Sequence, residues 1–102
     1  MMKCKLKELI QLIEEHFDRE VWYSKPPLKE IDYQLALLSL KMGSIRKNIT
    51  AGTITDINKE IIDLKEYIQQ VFNIPSNEEE LCSWLKIDEI RHKIVLNIYK
   101  RL

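Results

Sequence analysis

Residues 28–71 read LKEIDYQLALLSLKMGSIRKNITAGTITDINKEIIDLKEYIQQV, and this stretch decides the fold. Leu28, Ile31, Leu35, Leu38, Met42, Ile45 and Ile49 recur at alternating spacings of three and four. That is a heptad seam, the pattern of a helix packed along its length against another. Thr50-Ala51-Gly52 ends the run with the residue that most readily takes the left-handed conformation of helix termini. Thr53 is a candidate cap for the next helix, with Asp56 three residues on as a capping-box variant. Ile54, Ile57, Ile61, Leu64, Ile68 and Val71 then repeat the pattern over about residues 54–73. A turn this short forces antiparallel neighbours. The expectation is a long αα-hairpin whose arms each run roughly 30 Å, at 1.5 Å per residue.

Upstream, residues 3–18 place Leu6, Leu9, Ile10, Leu12, Ile13 and Phe17 on one face and Glu8, Gln11 and Glu15 on the other. This first helix runs into a connection holding Pro26-Pro27, with Ser24 as a candidate cap for the second helix. Downstream, Ser76-Asn77-Glu78-Glu79 reads as a Ser-x-x-Glu capping box. The last segment, about 77–101, does not hold one face. Leu81, Trp84 and Leu85 lie on one side, while Ile90, Ile94 and Ile98 lie about 130° away at 100° per residue. The helix either breaks near Lys86-Ile87-Asp88 or meets different neighbours along its length. The fold class expected is therefore all-α: a small helical bundle of four helices, or five if the last one breaks, built around the 28–71 hairpin.

With 102 residues, the chain is expected to form one domain over 1–102. Its 45% hydrophobic and 31% charged residues are those of a folded protein. The 16 basic and 16 acidic residues cancel, which counts against a protein devoted to phosphate backbones and leaves little repulsion between copies. Cys4 and Cys82 stand far apart and outside any C-x-x-C pair, so they read as reduced, partly buried thiols. No apolar run approaches bilayer length and the N-terminus lacks a signal-like apolar core, so the cytoplasm is the expected compartment.

The second helix carries a further apolar set. Tyr33, Leu37 and Leu40 lie about 150° round from the main seam at 100° per residue. Either this helix is central and buried on two sides, or the second face meets another chain. A homodimer is the first candidate, with a helical protein partner as the alternative.

The chemistry-bearing patterns are sparse. Glu89-x-x-His92 matches half of a di-iron carboxylate motif, but no second copy exists, so His92 reads as a surface or hinge histidine. His16, at the edge of the first helix's apolar face, reads as a hydrogen-bonded boundary residue. Two glycines can scarcely build a phosphate loop or a nucleophile elbow. No catalytic, cofactor or metal residue is assigned on these grounds.

Residues 79–88 resemble the first helix and turn of a helix-turn-helix, which implies a following helix presenting Arg91, Lys93, Asn97, Lys100 and Arg101 to nucleic acid. Lys86 stands at the usual turn glycine and His92 where an apolar residue belongs. Glu14-Glu15-x-x-Asp18 and Glu60-x-x-Asp63 resemble the acidic motifs of the all-α nucleoside triphosphate pyrophosphohydrolases, the MazG-like enzymes. That resemblance implies magnesium held between carboxylates.

The functional expectation is a non-catalytic, self-associating interaction or assembly module using Tyr33, Leu37 and Leu40. A helix-turn-helix regulator using residues 78–101 is the alternative, and the metal-dependent pyrophosphohydrolase is the remote one.

Overall fold

The structure, a computed structural model, describes residues 2–21 and 29–102. Among them are five α-helices and no strand, so the fold class is all-α, a small helical bundle. The helices are α1 (Met2–His16), α2 (Glu30–Ala51), α3 (Ile57–Val71), α4 (Glu78–Ile87) and α5 (Glu89–Arg101). A π-helical turn, Phe17–Val21, extends α1. The Ser24 and Pro26-Pro27 start signals, and Leu28 of the main seam, lie outside the described residues.

The chain divides into two compact units, Met1–Ile57 and Asn58–Leu102. The two arms of the expected 28–71 hairpin, α2 and α3, fall in different units. Within the first unit the neighbour of α2 is α1. Leu6, Leu9 and Ile13 of α1 are buried, as are Leu35, Leu38, Met42 and Ile45 of α2. The end of α1 meets the start of α2 through His16 and Asp32, while Ile13 shares a groove with Ala36 and Leu40. The two helices therefore run antiparallel.

α2 ends as the sequence indicates. Gly52 takes φ 74°, its N–H bonds to the Ile49 carbonyl at 3.1 Å, and the Thr53 N–H bonds to the Asn48 carbonyl at 3.0 Å. This is a Schellman end, in which a left-handed residue lets two amides reach back to open carbonyls. Thr53 does not cap α3, contrary to expectation: its hydroxyl donates back to the Asn48 carbonyl at 3.2 Å. α3 starts only at Ile57, after Asp56. Gly43 has nothing within 4 Å of an added Cβ, so it serves no close backbone approach.

In the second unit Ile61, Leu64 and Ile68 of α3 are buried. Asn73, at φ 54°, ends that helix, and the Ile74 N–H bonds to the Gln69 carbonyl at 3.1 Å. The Trp84 indole N–H donates to the Phe72 carbonyl at 2.9 Å, tying α4 to the end of α3. Lys65 lies 5.0 Å from the Tyr99 ring centre, linking α3 and α5 through a cation–π contact. The cap of α4 is Asn77 rather than Ser76: its side chain accepts from the Glu79 N–H at 2.8 Å. Asn and Ser cap equally well, and the one-residue shift sets the three glutamates directly in the first turn.

The last segment breaks at Asp88 (φ −151°, ψ 85°). Asp88 caps α5 by accepting from the Arg91 N–H at 3.3 Å, and its other oxygen accepts from the Arg91 guanidinium at 3.3 Å. The expected change of face is not what is buried: Ile90 is exposed, whereas His92, Val95 and Ile98 are buried. At 100° per residue these three lie within about 80° of Trp84, on the side that α4 already buries.

Candidate interaction surface

α2 has two apolar sides that lie in different surroundings. Its inner side, Asp32, Leu35, Leu38, Met42 and Ile45, is buried. On its outer side Tyr33 is 57% exposed, Leu37 57% and Leu40 70%. The second face of the helix is therefore not core. At 100° per residue the three side chains span an arc of about 60°, a narrow stripe of the kind that forms a helix–helix seam. Beside it, Ile13, Phe17, Ala36 and Leu40 line a groove of about 380 Å³ between α1 and α2, rimmed by Glu14, Asp18 and Ser39. Leu40 belongs to both stripe and groove, so the apolar surface is continuous.

Behind the stripe, a buried polar pair joins α1 to α2. The His16 Nε2–H donates to Asp32 Oδ1 at 2.8 Å, with both side chains almost wholly buried. His16 Nδ1, also buried, has no partner. The expectation of a boundary histidine is corrected on burial and met on hydrogen bonding. Sequence reasoning does not single out Asp32. The available signal is a carboxylate three residues before Leu35, on the inner edge of a heptad seam, where a charged side chain needs a partner.

The other residues singled out from the sequence are scattered. His92 is buried rather than on the surface. Its ring stacks on Trp84 with centroids 3.9 Å apart, and its Nδ1–H donates to the Trp84 carbonyl at 2.6 Å. That carbonyl belongs to the last turn of α4, where the helix leaves acceptors open. His92 is thus a core residue and a C-terminal cap at the α4–α5 junction, while Glu89 of the same half-motif is exposed.

Lys93, Asn97, Lys100 and Arg101 are exposed on one side of α5; Arg91 is half-buried against Asp88. α4 and α5 are joined by Asp88 alone, where a DNA-binding helix-turn-helix has a turn of three or four residues. Glu14, Glu15, Asp18 and Asp63 are exposed and Glu60 is half-buried. Glu15 pairs with Arg19 at 3.5 Å, the i,i+4 pairing of a solvated helix face. Among the described residues no group of three or more His, Cys, Asp or Glu side chains is arranged to hold a metal ion. Cys4 and Cys82 are free and exposed, not partly buried. No helix of the described residues is long and apolar enough to cross a membrane.

No protein-family model matches the chain, and comparison with curated proteins and with solved structures finds none similar to it.

Proposed function

We propose that this chain is a non-catalytic helical interaction module of the cytoplasm that self-associates through the outer face of α2. The observation that carries the reading is the exposure of Tyr33, Leu37 and Leu40 on one stripe of a helix whose opposite side is fully used by its own core. Large apolar side chains gathered on one surface mark interaction sites, and two-fold homodimers are the commonest soluble assemblies. The balanced charge of the chain adds no repulsion between copies. The cytoplasmic reading draws on two exposed free cysteines, which suit a reducing compartment.

Light scattering on the wild type and on Leu37→Glu/Leu40→Glu tests it. The wild type should have the mass of a dimer and the variant that of a monomer, with unchanged helical circular dichroism. A monomeric wild type sinks the reading.

A second reading has one observation in its favour. Lys93, Asn97, Lys100 and Arg101 form an exposed cationic stripe on α5, suited to phosphates. On that reading, duplex DNA binds with an affinity that falls steeply with salt and drops in Lys93→Ala/Lys100→Ala. Absence of binding at low salt removes it.

A further inference from the structure

We infer that the occupant of the outer α2 face is a second copy of this chain, laid antiparallel about a two-fold axis that passes between Leu37 and Leu40. The inference rests on the reading of that face as an interface, and adds the partner, the direction and the register.

The exposed stripe extends beyond its three apolar members. Glu30, Tyr33, Leu37, Leu40, Ser44 and Lys47 are all exposed, and they succeed one another at spacings of three, four, three, four and three. This is a second heptad seam, about 26 Å long at 1.5 Å per residue. Its spacings read the same in both directions. A reversed copy of the helix therefore meets it in register along its whole length. Leu37 packs on the partner's Leu40, Tyr33 on the partner's Ser44, and Glu30 on the partner's Lys47, and the two-fold axis produces each contact twice.

Charge and volume select the same direction. Glu30 and Lys47 are the charged members of the seam, of opposite sign and at opposite ends. Antiparallel pairing joins them as two ion pairs flanking an apolar centre, the usual layout of a hydrophobic core with a polar rim. Parallel pairing sets Glu30 on Glu30 and Lys47 on Lys47, and like charges across a seam repel. It also stacks Tyr33 on Tyr33, whereas the antiparallel register puts the large ring against a serine.

Charge reversal tests the register separately from the interface. Glu30→Lys and Lys47→Glu each turn two ion pairs into two like-charge contacts, and each should weaken the dimer about tenfold or more by light scattering at low salt. The double reversal Glu30→Lys/Lys47→Glu exchanges the ends of every pair and should return wild-type affinity. Both substituted residues are exposed, so circular dichroism should show all three variants folded. Single reversals that leave affinity unchanged, or a double reversal as weak as the singles, overturn the antiparallel register. If Leu37→Glu/Leu40→Glu still yields monomers in that case, the interface itself survives. A wild type that is monomeric removes both.

Discussion

His16 in the first unit and His92 in the second are both buried, yet the molecule satisfies them in opposite ways. His16 reaches from the last turn of α1 to a carboxylate on α2, so its bond joins two long helices. His92 bonds to a backbone carbonyl eight residues away and stacks on the indole of that same residue, so its contacts stay within one junction. The first arrangement specifies how α1 lies along α2, because a buried carboxylate tolerates no other registration. The second specifies only the bend between α4 and α5. Large apolar side chains are exposed in both units, Tyr33, Leu37 and Leu40 in the first and Ile62, Ile87 and Ile90 in the second.

The largest effect should come from breaking the first arrangement. Asp32→Ala strands His16 with neither ring nitrogen bonded and should cost about 3 kcal/mol, since removing one partner of a buried polar pair leaves the other desolvated. Adding His16→Leu should recover the part of that loss that comes from the stranded imidazole, because an apolar side chain needs no partner. The check is a double-mutant cycle by urea denaturation. Losses that simply add would show that the two side chains are not coupled, and the contrast between the histidines would fail.

Breaking the second arrangement should matter less. His92→Phe keeps a ring to stack on Trp84 and removes one hydrogen bond, leaving the Trp84 carbonyl open. The expected cost is about 1 kcal/mol, seen as faster hydrogen exchange at the α4–α5 junction. A loss as large as that of Asp32→Ala would mean that both histidines do the same structural work.

The difference also explains what the sequence could reveal. Spacings of three and four mark the helices because burial tracks the helical period: Leu35, Leu38, Met42 and Ile45 are core on α2, and Ile61, Leu64 and Ile68 on α3. The break at Asp88 falls where the sequence allows one, but the Ile90, Ile94 and Ile98 face expected after it is not the buried one. Ile90 is exposed, and a buried His92 continues the side of Trp84 instead. The outer stripe of α2 is legible from its spacings, while its exposure is not, since a period gives faces and not neighbours. The His16–Asp32 bond joins residues 16 apart on different helices, and no local pattern encodes such a pair. The misplaced caps have a local cause. Ser76 and Asn77 are equally good cap residues in adjacent positions, and Thr53 has a helix end behind it as well as one ahead.

The smallest expected effect sharpens the comparison at the ends of α2 and α3. Both close with a left-handed residue and then an amide that reaches back five residues, but one unit uses Gly52 and the other Asn73. Glycine adopts that conformation without a Cβ penalty, and asparagine tolerates it better than most other residues. Asn73→Gly should therefore stabilise, and Gly52→Asn destabilise, by a few tenths of a kcal/mol, partly offset by glycine's freer unfolded chain. An added Cβ at Gly52 meets nothing within 4 Å, so crowding cannot account for any loss there. Melting temperatures of the two variants should move in opposite directions by about one or two degrees. If both fall, the asparagine side chain is contributing a bond of its own at the end of α3, and the two helix ends are alike in backbone only.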